Sequence, residues 1–387
     1  MQDMVHNTAQ SAVKDRYGAG AQQREDALCC PVDYDPQYLK VIPEEVIERD
    51  YGCGDPSQYV RDGETVLDLG SGTGKICFIA SQVVGSRGKV IGVDMTDEML
   101  EVATRNAPIV AERIGHANVE FRRGHIEDLA TDLDAIDAML AEKPVTSRAQ
   151  LEAFEQAREV QRRERPLIES DSIDVIVSNC VLNLVADTAK PQLFREMYRV
   201  LKKGARIAIS DIVSDETSPE HLKNDDTLWS GCISGALQER EFIALLEEVG
   251  FYGITVEKRD AEPWQVVEGI EYRSITVQAW KGKEGPCWEE NDAVLYKGPF
   301  SQVSDDDGHT YVRGQPMAVC AKTFKILTSE PYADHFYAVP AQMKVTEQIP
   351  FDCSRDAVRA PSETKAGIAT ETRVTDASCC GPDTGCC

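Results

Sequence analysis

The sequence predicts an α/β fold built on a parallel sheet with helices on both faces. Three observations predict it. Short, almost wholly apolar segments alternate with helical stretches along residues 61–282, and strands that apolar must be buried on both sides. The first of them runs straight into a glycine-rich turn that opens a helix. The alternation then closes on Ile254–Glu257 and Tyr272–Trp280, where apolar and polar residues exchange in the period-two manner of an antiparallel pair.

The elements follow in order. Thr65–Leu69 is the first strand and the apolar run Ile76–Val84 the first helix; Lys89–Asp94 and Val119–Arg122 are the second and third strands. Residues 129–168 interrupt the pattern as a helical hairpin. Leu129, Leu133, Ile136 and Leu140 share one face there, Ser147 and Gln150 form a capping box, and Arg162-Arg163-Glu164-Arg165 reads as a solvated face. Ile173–Val177 is the fourth strand. A helix entered at Pro191 carries Leu193, Met197, Val200 and Leu201 on one side, and Lys202-Lys203-Gly204 is expected to end it. Arg206–Ile209 is the fifth strand.

Domain boundaries follow from shifts in character. Residues 1–60 read as a polar arm carrying Cys29, Cys30 and Cys53, and residues 61–282 as the α/β domain. Short β-like pieces and prolines over 283–350 suggest a small α+β domain. Residues 351–387 are polar, end in Cys379-Cys380 and Cys386-Cys387, and are expected to be a disordered Cys-rich tail.

A formal net charge of −25 disfavours nucleic acid or an anionic membrane as a partner. No segment is apolar for long enough to span a bilayer, and Met1–Gly20 lacks the apolar core of a signal peptide. A cytoplasmic monomer is therefore expected. In such a reducing compartment, 13 cysteines point to metal, metalloid or redox chemistry rather than to disulfide staples.

The first strand leads into Asp68-Leu69-Gly70-Ser71-Gly72-Thr73-Gly74, and Asp94 ends the second strand, where an acid can bond the ribose of a nucleoside cofactor. An acid at the loop entrance would repel a pyrophosphate but suits a cationic ligand. The loop resembles the first motif of class I S-adenosylmethionine-dependent methyltransferases. That resemblance implies their Rossmann-like, seven-stranded sheet, S-adenosylmethionine as cofactor, and adenine held near Ile126 and Glu127. Acceptors in such folds sit over the carboxyl ends of the strands. Cys180 follows the fourth strand there, Cys232 follows the loop after the fifth, and Cys53 lies in a Gly-flanked segment before the first. Three thiolates suit a soft acceptor. Zinc in a closed site wants four ligands at tighter spacing, whereas trivalent arsenic takes three sulfurs and keeps a nucleophilic lone pair.

Tyr51-Gly52-Cys53-Gly54, Asp68–Gly74, Val93-Asp94-Met95-Thr96, Ser178-Asn179-Cys180, Ser218-Pro219-Glu220-His221-Leu222, Tyr296–Phe300 and Asp307-Gly308-His309 together resemble the arsenite methyltransferases. The resemblance spans roughly residues 20–340. It implies arsenite or methylarsenite, as thiol adducts, bound by Cys53, Cys180 and Cys232. It also implies a SAM pocket formed by Tyr51, Asp68, Gly70, Ser71, Gly72, Gly74, Asp94, Met95, Ile126, Glu127 and Asn179. A fourth, N-terminal cysteine forming a disulfide during turnover is implied as well, with glutathione or thioredoxin as reductant. Here that position holds the pair Cys29-Cys30; Cys30 is favoured because Pro31 stiffens the chain after it. The 129–168 hairpin is longer than the family's usual connection. Cys77 is expected in the core, while Cys287, Cys320 and Cys353 have no spacing signal and receive no role. The terminal pairs are either an arsenic-capturing device or a thiophilic tail. Two other readings compete: a methyltransferase for a carbon, oxygen or nitrogen acceptor, and a metalloid-sequestering protein on a decayed fold. The intact Asp68, Gly70, Gly72 and Asp94 speak against decay.

Overall fold

The computed structural model describes residues 13–23, 25, 32–49, 51–343, 345, 347–353 and 357–365. The chain divides into two compact units between Gly282 and Lys283.

The first unit is built on strands β1 (Thr65–Leu69), β2 (Lys89–Asp94), β3 (Val119–Arg123), β4 (Ile173–Asn179), β5 (Leu201–Ser214), β6 (Tyr252–Arg259), β7 (Gln265–Val267) and β8 (Ile270–Trp280). Their order is β3-β2-β1-β4-β5-β8-β6, with β7 added beside β8. The first five run parallel, and β8 is antiparallel to both β5 and β6. The short β7 is an addition to the expected seven strands. Its partner begins after the two-residue loop Glu268-Gly269, both at positive φ (52° and 93°), the geometry of a tight hairpin turn.

The strands are continuously apolar because alternate residues serve two cores. Leu67, Leu69, Ile91, Val93, Ile207 and Ile209 pack on one face with Leu193, Phe194 and Met197 of the helix Lys190–Val200. Val66, Val90, Val177 and Ala208 pack on the other with Ile76, Phe78 and Ile79 of the helix Lys75–Val84. Burying each of these larger side chains contributes about 1.5–3 kcal/mol before entropy is counted.

Two local expectations are revised. The helix Lys190–Val200 stops before the lysines, and Leu201 is already extended (ψ 138°). Gly204, at φ 86°, marks an irregular start of β5, where the register with β4 shifts and Lys202 pairs with Asp174 at 2.8 Å. In the inserted helices Leu133–Glu142 and Arg148–Glu164, Arg162 is half-buried and bonded to Asp128 and Thr131, so the charge run is not wholly solvated. Ser147 caps Gln150 as expected, but the Gln150 side chain returns to the Thr146 N–H. Among the described residues no helix is long and apolar enough to cross a membrane.

The second unit has a three-stranded antiparallel sheet, in the order β12 (Pro316–Ala318), β9 (Ala293–Tyr296), β13 (Phe336–Val339), and a hairpin of β10 (Gln302–Ser304) with β11 (Thr310–Val312). The Asp305–Gly308 turn closes that hairpin, with the Asp305 carboxylate accepting from the N–H groups of Asp307 and His309. Residues 357–359 continue the packing: Met317 pairs with Val358, and Arg359 bonds Glu289 at 2.7 Å. Ordered structure in this unit thus extends past residue 350.

Candidate functional site

The cofactor loop is shaped by its glycines. Gly70, Gly72 and Gly74 lie at φ 71°, 52° and 91°, where a side chain would be strained. The N–H groups of Gly70 and Ser71 bond the Val93 carbonyl at 2.8 and 3.0 Å, which folds the loop against the end of β2. Asp94 completes the corner, accepting from Gly72 N at 2.9 Å and Thr96 N at 2.8 Å. Burial nevertheless holds its carboxyl above the usual range, against the opposing pull of those amides.

Above this corner opens a cavity continuous with solvent. Asp68, Gly70, Ser71, Gly72, Asp94 and Met95 form one wall; Ile126, Glu127, Tyr51, Asn179 and Cys180 also line it. Gly74 does not. A Cβ there would lie 2.7 Å from the Phe121 ring, so Gly74 is a packing glycine of the helix Lys75–Val84. The walls fit a nucleoside ligand on two counts. The buried Ser71 hydroxyl has no partner among the described residues, and space is open where a Gly72 side chain would stand. Cys77 is fully buried in the core and donates its S–H to Asp68 at 3.2 Å.

The structure brings Cys53, Cys180 and Cys232 into one buried cluster with Ile212, Ile233 and Tyr272. Cys180 is central: its sulfur lies within 4.8 Å of that of Cys53. The Cys232 thiol also donates to the Cys180 carbonyl at 3.0 Å. Cys180 and Cys232 both adopt left-handed backbone, φ 62° and 61°, at a cost of about 1 kcal/mol or more each. Hydrogen bonding among the thiols and burial hold Cys180 well above its ordinary value, and burial raises Cys53. The Cys53 and Cys180 thiols are therefore held in their neutral form unless a ligand takes their protons.

Neighbouring groups fix this geometry. Asn179 Oδ1 accepts from the N–H groups of Cys53 and Gly54 at 3.0 and 3.1 Å, and its Nδ2 donates to the Gly54 carbonyl at 2.8 Å and Tyr34 Oη at 3.0 Å. Asn179 borders the cavity, but its amide is spent on tying the Cys53 segment to the end of β4. Ser274 Oγ donates to the Cys53 carbonyl at 2.8 Å. Tyr51 holds the helix of residues 13–22: its hydroxyl donates to the Gly20 carbonyl at 3.1 Å and accepts from Glu25 N at 2.9 Å. From that helix Arg16 reaches the Thr227 carbonyl at 3.0 Å and Ser230 Oγ at 2.9 Å.

Two residues escaped the sequence reading. Tyr17 lies with its hydroxyl 3.6 Å from Cys232 Sγ; burial, then the charge of Cys232, would push its phenol far up. Its only signal was the helical spacing Val13, Tyr17, Ala21. Asp211 is buried in β5, and a carboxylate oxygen lies within 4.8 Å of the thiols of Cys53 and Cys180. Burial raises its pKa to about 7 although three backbone amides (Ile212, Leu182 and Val181) donate to it. An acid inside an apolar strand was a readable anomaly. Cys29 and Cys30, and the terminal pairs Cys379-Cys380 and Cys386-Cys387, lie outside the described residues.

Comparison with known proteins follows the two units. A family described as a methyltransferase domain matches residues 60–250, and a domain of unknown function matches residues 283–369. The chain is 33% identical to an arsenite methyltransferase of Aquipseudomonas alcaligenes over 344 residues, covering 84% of this chain and 89% of that one. It is 31% identical to the arsenite methyltransferase of Homo sapiens, covering 79% and 75%. Among solved structures it resembles an arsenic(III) S-adenosylmethionine methyltransferase from Chlamydomonas reinhardtii at a TM-score of 0.56 and 27% identity, covering 86% of this chain and 100% of that one.

Proposed function

The chain belongs to the arsenite methyltransferase family, and from that premise we propose that this S-adenosylmethionine-dependent enzyme methylates arsenic held on the thiolates of Cys53, Cys180 and Cys232. The observation that carries the reading is that Cys53, Cys180 and Cys232, from three separate segments, share one buried cluster whose Cys180 lines the glycine-loop cavity.

S-adenosylmethionine, bound in that cavity, supplies an electrophilic methyl group. Asp68, Gly70, Gly72 and Ser71 would hold its methionine end, Asp94 the ribose, and Ile126 and Glu127 the adenine, with Tyr51 keeping the 13–22 helix beside it. The raised thiols of Cys53 and Cys180 suit arsenous acid as the incoming form. Three As–S bonds replace three As–O bonds, and the three thiol protons leave in three waters, so no separate base is needed. Arsenic then carries its lone pair at the apex of a sulfur pyramid, and the rigid Asn179 and Ser274 contacts to the Cys53 segment serve positioning. Methylarsenite, with fewer exchangeable oxygens, would engage two of the thiols.

Methylation through the lone pair formally oxidises arsenic to the pentavalent state. We assign its reduction to Cys30. The Cys30 sulfur attacks Cys53, the Cys53–As bond breaks, the two bonding electrons stay on arsenic, and the Cys30 proton is released. Thioredoxin or glutathione then reduces the Cys30–Cys53 disulfide.

The test is incubation with arsenite, S-adenosylmethionine and glutathione, with arsenic species separated over time. Methylated arsenic is expected from the unaltered enzyme and should vanish in Cys180→Ser and Cys232→Ser while cofactor binding persists. Retained methylation in either variant sinks the three-thiol site. Peptide mapping after a single turnover checks the last step; free Cys30 and Cys53 thiols alongside methylated product would rule out that disulfide.

A further inference from the structure

The second unit contains three more cysteines that meet. Cys287, Cys320 and Cys353 are far apart in sequence, yet their sulfurs all lie within 4.8 Å of one another. Separate backbone contacts place each of them. The Cys287 carbonyl accepts from Phe351 N at 2.9 Å, and the neighbouring Glu289 N–H bonds Ile349, which lays the two segments side by side. Cys320 is buried and caps the helix Ala321–Leu327, its sulfur accepting from Thr323 N at 3.4 Å. The Cys353 carbonyl is bonded by His309 Nε2 at 3.2 Å.

We propose that Cys287, Cys320 and Cys353 form a second trivalent-metalloid site, separate from the methylation site and taking arsenite through three As–S bonds. The donor set decides the ligand class. Three soft sulfurs suit a pyramidal ion that keeps a lone pair, whereas closed zinc sites want four donors. No histidine or carboxylate completes the group among the described residues. The nearby His309 has both ring nitrogens engaged, one with Asp305 at 3.0 Å and the other with Cys353. Cys320 and Cys353 also line a small cavity with Met317 and Phe351, which gives the ligand an approach. Binding balances as three thiols and arsenous acid giving the tris-thiolate and three waters, with no change of oxidation state.

The experiment uses the full chain, reduced by a phosphine under nitrogen and treated with arsenite or with zinc. Each cysteine is then read separately by alkylation and peptide mass. Arsenite is expected to abolish alkylation of Cys287 and Cys353 together, and zinc to leave it intact. Cys320→Ser, which keeps a capping side chain, should restore alkylation at both while Cys180 and Cys232 stay protected. Unchanged alkylation of Cys287 and Cys353 under arsenite would overturn the proposal, as would protection by zinc alone or protection that survives Cys320→Ser. Failure of protection at Cys180 and Cys232 alone would instead count against the catalytic reading and leave this site standing.

Discussion

Gly52→Ala tests how tightly the Cys53 segment must be held. A Cβ at Gly52 would lie 2.7 Å from Asn179 Cγ and 2.9 Å from its Oδ1, closer than packed atoms tolerate. Either the amide or the segment has to move. If the amide yields, it gives up four bonds of 2.8–3.1 Å. At about 1 kcal/mol net for each, the loss is about 4 kcal/mol at most. If the segment yields, Cys53 moves on the order of 1 Å, a misplacement that costs a reaction about 100-fold. Either way the Cys53 segment is no longer held in place, and a methylation rate about 100-fold lower is expected, measured in a single turnover with enzyme in excess over arsenite. Cofactor affinity, measured by titration calorimetry, should fall far less, because Gly52 does not line the glycine-loop cavity. A Gly52→Ala enzyme that methylates at the unaltered rate refutes the argument that Asn179 and Gly52 set the position of Cys53.

Other perturbations probe the remaining groups. Asp211 has a folded pKa of about 7, raised from 3.8 by burial; it therefore stabilises the fold at low pH, and that contribution is lost as pH rises through about 7. Urea unfolding at about pH 5 and about pH 8 should show the unaltered protein losing stability relative to Asp211→Asn; parallel pH curves would contradict the assignment. Raised thiol pKa values at Cys53 and Cys180 have the same sign at higher pH, so the ligand-free protein should weaken above about pH 9, and Cys180→Ala should weaken less in differential scanning calorimetry. Tyr51→Phe removes the bonds to Gly20 and Glu25 and should loosen the 13–22 helix, weakening cofactor binding by about tenfold; an unchanged dissociation constant would mean that helix does not cover the bound cofactor.

Much of the fold was legible because it rests on local patterns. The first two strands begin and end where the alternation of apolar residues and turns put them, Thr65–Leu69 and Lys89–Asp94. The glycine loop and Asp94 were readable because positive φ and a strand-end acid leave residue-type signatures. Cys180 was placed at the rim because it closely follows the fourth strand. The end of the helix Lys190–Val200 was misread because the Lys202–Asp174 pair and the register shift into β5 depend on a neighbouring strand.

What the sequence by itself determined is therefore the α/β class and the glycine-loop corner, since both follow from residue identity at short range. Only the tertiary structure decided which atoms meet. It spent the Asn179 amide on the Cys53 segment, set Asp211 and Tyr17 beside the thiols, turned Gly74 to packing, and gathered Cys287, Cys320 and Cys353. Contacts between segments far apart in the chain leave no periodicity to read. They arise when a packed sheet and its loops bring those segments to the same place.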